Sequence, residues 1–304
     1  MKLFELLIRK NVGERTLAQM IMRCGRYWMF GIFLLFAGGM FARENVDDER
    51  PDARKIIRRV VSNYRRDIDS MRDYTYQRRT VIQRLDKNGA VKKTEIRTYE
   101  VSIFFGAPFQ KLIARDDKPL SAKDRKRSEE KLNNFFNRQK KLSDEDRKRE
   151  MEKDSHKFQH EIADELPQML NYEVIGEEMF DGHPVWVIRA TPRKDYKPNS
   201  RVGKLLSKLS GKVWITKSDD TWVKVEADLA EDFNVGWFLF KLRKGAHLEF
   251  EDTRVHDERW MPRRTFINGS GRLAGVTGRF RIETNYSNYR KFTSDVNIRY
   301  NENE

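Results

Sequence analysis

The chain has 304 residues, with 61 Lys and Arg against 47 Asp and Glu, and so a formal charge of +14. Its mean hydropathy of −0.81 with 12% aromatic residues describes a soluble body whose apolar residues are concentrated in particular segments, which excludes disorder of the whole chain. The length allows one large domain or two small ones with a proper core, and the single cysteine, Cys24, excludes a disulfide framework.

A basic chain invites a nucleic-acid reading, because Lys and Arg neutralise phosphates and release counterions. The N-terminal segment points elsewhere. Arg23 and Arg26 precede "YWMFGIFLLFAGGMFA", Tyr27 to Ala42, and a basic flank, a short apolar core and small residues make a secretory signal. The run is shorter than the roughly 20 apolar residues of a comfortable spanning helix. Residues 1–42 are therefore read as a signal peptide cut after Gly39 or Ala42, or as an uncleaved inner-membrane anchor. Initiation at Met20 or Met22 would leave "MIMRCGRYW" as an ordinary basic n-region. Cys24 lies ahead of the apolar core, so it is not a lipobox acceptor and leaves with the signal. Removing residues 1–42 takes six basic and two acidic residues from the +14 and leaves +10. An exported, basic protein is expected to meet anionic lipid head groups or acidic protein surfaces rather than nucleic acid.

After the spacer "ENVDDERPD", the residues Ile56, Ile57, Val60, Val61, Tyr64, Ile68 and Met71 recur at three- and four-residue spacing, which predicts an amphipathic helix from Ala53 to Met71. Packing on the protein's own sheet is its expected fate, with a membrane surface as the alternative. "YTYQRRTVIQRLDKNGAVKKTEIRTYEVSIFF" reads as a long hairpin with a type I′ turn at Asn88-Gly89, followed by a third strand over Pro108 to Arg115. From Ser121 to about Glu165 the chain is dense in charge with no Gly and, up to that point, no Pro. Ser121 with Asp124, and Ser143 with Asp146, have N-cap spacing, so two helices joined near Leu142-Ser143 are expected to lie over one edge of the fold.

Strands then return. "YEVIGEEMFDGHPVWVIRATP" turns at Asp181-Gly182, and "KVWITKSDDTWVKVEADL" turns through Ser218-Asp219-Asp220. In the latter, Val223, Val225, Ala227 and Leu229 alternate with Trp222, Lys224, Glu226 and Asp228. In "RFRIETNYSNY", Phe280, Ile282 and Tyr286 oppose Arg279, Arg281 and Glu283. Such alternation marks antiparallel sheet with one dry face. About eleven strands approach the size at which an open sheet curls. The expected fold is α+β: a curved antiparallel sheet, or half-barrel, with helices covering its concave side.

That order of elements, and above all Gly182 with "PVWVIRATP", "KVWITK" with "WVKVEA" and the terminal "NYSNYRKF", resembles the LolA/LolB-like superfamily, in particular its outer-membrane lipoprotein-sorting-like branch. The resemblance implies a single domain over residues 43–304, with residues 121–165 as a charged helical insertion longer than a minimal carrier's lid. It further implies a hydrophobic cavity that takes acyl chains of lipoproteins or lipids, partners in inner- and outer-membrane docking proteins, no cofactor and no catalysis. The runner-up is a periplasmic sensor or interaction module on the same fold that binds a regulatory protein. The residues expected on the dry face are Ile57 and Val61 of the first helix with Val213, Ile215, Val223, Val225, Leu248, Phe250, Phe280, Ile282 and Tyr286; the alternative for each is simple core. The faces of Trp214, Trp222 and Trp237 stay open.

Signals for chemistry are sparse. His156 and His160 are four apart on a predicted helix but lack a third metal ligand. "GSGRLAGVTG", Gly269 to Gly278, precedes no helix, so it reads as a flexible hairpin loop and not a phosphate cradle. Glu177-Glu178 and Asp219-Asp220 are paired acids beside turns, where general acid–base work would need burial.

Overall fold

The computed structural model describes residues 51–70, 73–105, 107–147, 149, 165–235, 240–273 and 276–291. The amphipathic segment forms α1 (Ala53–Ser70). Asp52 starts it, accepting from the backbone N–H groups of Arg54 at 2.9 Å and Lys55 at 3.3 Å, as an N-cap carboxylate does. The chain then builds β1 (Tyr74–Leu85), β2 (Val91–Phe104), β3 (Ala107–Arg115) and the short β4 (Lys118–Pro119). Next come α2 (Ala122–Lys141), a one-turn α3 (Leu166–Met169), β5 (Leu170–Phe180), β6 (His183–Pro192) and α4 (Arg201–Leu206). The remaining strands are β7 (Leu209–Thr216), β8 (Trp222–Leu229), β9 (Phe233–Val235), β10 (Phe240–Leu242), β11 (His247–Val255), β12 (Arg259–Leu273) and β13 (Val276–Lys291).

The strands make one curved antiparallel sheet in the order β4-β3-β2-β1-β13-β12-β11-β8-β7-β6-β5, with β9 and β10 attached beside β12. The two ends of that order, β4 and β5, do not pair, so the sheet is unclosed. The last strand, β13, joins the N-terminal meander to the rest by lying between β1 and β12.

Three turn regions show how local chemistry sets this geometry. Asp181 and Gly182 both have positive φ, +51° and +82°, as the turn read there from the sequence requires. At the first hairpin Gly89 has φ +89° but Asn88 does not lie in the left-handed region, which corrects the expected type I′ turn. The Asp86 carboxylate accepts from the N–H groups of Asn88 and Ala90 at 2.8 and 2.9 Å, holding a longer loop that needs only the glycine left-handed. The glycine-rich stretch is likewise strand, not flexible loop: β12 runs through Gly269 and Gly271, and β13 already includes Gly278. A Cβ on Gly271 would come within 1.9 Å of the Lys241 carbonyl oxygen, so the glycine is what admits β10 beside β12.

Charge-rich α2 is capped by Ser121, whose Oγ accepts from Asp124 N at 3.1 Å. It covers the outer edge of β3: Ser128 Oγ donates to the Leu112 carbonyl at 3.0 Å, and Phe135 and Phe136 meet Phe109 and Phe104. A helix there blocks an edge that would otherwise recruit another strand. The second expected helix begins as foreseen, Ser143 Oγ accepting from Asp146 N at 3.0 Å; most of its length, with His156 and His160, lies outside the described residues, as do residues 1–50 and Trp237.

Candidate functional site

Residues directly opposite in an antiparallel ladder share a face, so the register assigns each side chain to one side of the sheet. On the inner side α1 lies against β5 and packs with α3. It buries Ala53, Ile56, Ile57, Val60 and Val61 in one apolar cluster with Val174, Ile188, Leu206, Val213, Ile215, Val225, Leu248 and Phe250. Ile267 and Phe280 pack against the cluster's margin. Its polar rim fastens α1 to the β7–β8 turn. Arg59 grips Asp220 with two hydrogen bonds of 2.6 and 2.9 Å, and Asn63 Nδ2 donates to the Asp219 carbonyl at 3.0 Å.

Ten of the eleven candidate residues fall on this face, and seven of them, Ile57, Val61, Val213, Ile215, Val225, Leu248 and Phe250, sit inside the cluster. Phe280 borders it. Ile282 is buried opposite both Ile82 and Ile267, one step beyond. Tyr286 lies four residues further along the same face of β13, where its hydroxyl bonds Thr265 and its ring approaches Tyr76.

Val223 belongs elsewhere. Ile215 faces Trp222 and Trp214 faces Lys224, so Val223 is the extra residue of a β-bulge, and a bulge inverts the alternation on either side of it. Trp222 therefore joins the inner cluster. Val223 instead packs on the outer side with Val185, Val187, Trp214 and Trp260. The outer side is otherwise wet and ion-paired: Glu249 receives Arg264 at 2.5 Å, Arg264 also reaches Glu283 at 2.8 Å, and His247 lies between Asp228 and Glu249.

The inner face changes character across β13. Where β1 and β2 continue it, register sets Arg78 opposite Tyr286 and Tyr99, Thr80 opposite Thr284 and Arg97, Ile82 opposite Ile282 and Glu95, and Arg84 opposite Phe280 and Lys93. Arg115 of β3 stands opposite Arg97. Glu95 is held below the usual carboxylate range: burial alone would raise it, but Lys93 at 2.8 Å, Arg97 at 3.3 Å and the field of Arg84 outweigh that. Sequence reading missed this half of the face. Its only trace was that Arg78, Thr80, Ile82 and Arg84 alternate with Gln77, Arg79, Val81 and Gln83, polar on both sides, so neither side announced itself as inner.

The paired acids are engaged structurally. Glu177 pairs with Lys217, and Glu178 accepts from Trp214 Nε1 at 2.7 Å. Asp219 accepts from Thr216, while Asp220 holds Arg59. Among the described residues no group of three or more His, Cys, Asp or Glu is arranged to hold a metal, and no helix is long and apolar enough to cross a membrane.

No family model matches the sequence, and no curated protein matches it. The chain is similar to solved structures of the LolA superfamily and its lipoprotein-sorting-like branch. A DUF1329 family protein from Desulfovibrio piger is 14% identical, with 82% of this chain and 95% of that one covered and a TM-score of 0.33. An outer membrane lipoprotein-sorting protein domain from Vibrio parahaemolyticus is also 14% identical, with 81% and 96% covered and a TM-score of 0.31. A LolA superfamily protein from Nitrosomonas europaea is 11% identical, with 80% and 94% covered and a TM-score of 0.28.

Proposed function

We propose that the protein is a noncatalytic, exported carrier that holds acyl chains of lipoproteins or lipids against the inner face of its sheet. On this reading it works in the periplasm, as one domain after removal or anchoring of residues 1–42, and serves lipoprotein sorting toward the outer membrane. The observation that carries the reading is the cover of the apolar inner face. Between β5 and β11 that face is covered by helices, α1 as the long one with Leu166 and Met169 of α3 and Leu206 of α4 beside it, and α1 is fixed at its rim by exposed polar bonds to the β7–β8 turn. A second sheet would make a permanent core, whereas a helix with a polar latch is a cover that a ligand can displace. Acyl chains taking the place of α1 gain about 0.8 kcal/mol per buried CH₂, so one ordinary chain can offset the release of Ile56, Ile57, Val60 and Val61. The excess positive charge favours docking to anionic membranes or acidic partner proteins.

Native mass spectrometry of the protein purified from a bacterial periplasm, with organic extraction of anything bound, tests the proposal. Stoichiometric acyl lipid or lipopeptide is the expected result. A protein that is empty, ignores added lipids and lipopeptides, and is recovered with one stable polypeptide partner would refute the carrier and install the sensor module in its place.

A further inference from the structure

The side chain that neither the fold nor the carrier reading uses is Arg78. It is 8% exposed, and its guanidinium lies 4.7 Å from the centre of the Tyr99 ring. Its Nε has no hydrogen-bond partner, and among the described residues no carboxylate lies within ion-pair distance of it. Removing a charge from water without a counter-charge is strongly unfavourable, so a sequence free to choose would place Met or Leu there. The surroundings deepen the puzzle. The Thr80 and Thr284 hydroxyls meet at 3.1 Å beside it, and Tyr286 stands directly opposite. Gln110, on the same face of β3, keeps a buried Oε1 without a partner. Arg84, Arg97 and Arg115 share that face, and the acids that meet them there are Glu95 and, from the start of α2, Asp124.

From these placements we infer that the inner face carries an anion site centred on Arg78, and that the ligand is an amphiphile with a phosphate or carboxylate head. The head group would rest on Arg78 and the Thr80, Thr284 and Tyr286 hydroxyls, while the acyl body extends past Ile282 and Phe280 toward Leu248, Phe250 and the underside of α1. The geometry is continuous along β13: Tyr286 and Thr284 are polar, Ile282 and Phe280 apolar, and all four share one face. Arginine suits the task because its planar fork binds such an anion through two parallel N–H bonds. This inference rests on the carrier reading and specifies its ligand class.

The full chain is titrated by calorimetry with dodecyl phosphate, laurate, dodecanol and inorganic phosphate, each below its micellar concentration where it has one. Dodecyl phosphate and laurate are expected to bind at least roughly tenfold more tightly than dodecanol, the scale of one charge-assisted hydrogen-bond set. Arg78→Gln should remove that advantage and leave dodecanol unchanged, and Arg78→Lys, keeping charge without the fork, should fall between. Arg78→Met should also raise the thermal midpoint of the unliganded protein by roughly 2–4 °C, because it relieves a buried unpaired charge. Equal affinities for charged and neutral heads, or a lowered midpoint for Arg78→Met, would overturn the anion site and leave the carrier intact. Inorganic phosphate binding as tightly as dodecyl phosphate would overturn it in favour of free anions. If no amphiphile binds, both readings fall together.

Discussion

If α1 is a displaceable cover, it opens without the sheet unfolding, and two substitutions separate those events. Ile57 is 1% exposed beneath α1, and Ile→Ala at such a site costs roughly 2–5 kcal/mol. At the lower bound the opening equilibrium of α1 rises roughly thirtyfold. Val187 is buried on the opposite side of the sheet, among Val185, Trp214 and Val223, and has no part in the cluster beneath α1. Val187→Ala costs about 1–2 kcal/mol from lost methyl burial and the void left behind, a loss felt only when the sheet unfolds. Amide hydrogen exchange of α1 and β6 reads both events. Ile57→Ala should accelerate exchange throughout α1 by about thirtyfold or more. Val187→Ala should accelerate the slow amides of β6 by several-fold to about thirtyfold and leave α1 amides unchanged. Were α1 amides to accelerate by the same factor as β6 amides in Val187→Ala, the helix would open only with the whole sheet, and the cover argument would fail.

Three other perturbations follow from the same geometry. Arg59→Met removes the two-point grip on Asp220 but little apolar area. Because Arg59 is half exposed, the loss is about 1 kcal/mol or less, read as an up to about fivefold rise in α1 exchange. Gly271→Ala drives a methyl into the Lys241 carbonyl oxygen, so β10 must leave β12. Roughly 1–3 kcal/mol should be lost in urea denaturation, with the damage confined to the amides of β9, β10 and the end of β12. Glu249 has a depressed pKa: its burial would raise it, but the Arg264 guanidinium and His247 prevail. A carboxylate held below its ordinary value of 4.5 contributes stability above that pH and loses it as pH falls through the depressed value. Urea midpoints measured from pH 7 to 3 should therefore drop less steeply for Arg264→Met than for the unaltered protein, and identical slopes would contradict the assignment.

The sequence determined the parts of this fold that depend on local chemistry and period. Three- and four-residue spacing fixed α1 and its buried stripe. Alternation identified most of the strands and their dry side, Asp181-Gly182 the tight hairpin, and Ser121 and Ser143 the helix starts, because each follows from backbone geometry within a few residues. What depended on one strand meeting another was not legible. Val223 and Trp222 exchanged faces because β7 and β8 pair with one extra residue, and no single strand records its partner's register. Gly271 read as loop because the backbone that presses on it is Lys241, some thirty residues earlier. Arg78 looked like one more charge in a basic hairpin; only the return of β13 to β1 at the end of the chain set it on the inner face opposite Tyr286. A two-residue period says which side chains share a face, and long-range pairing decides whether that face meets water, a core or a ligand.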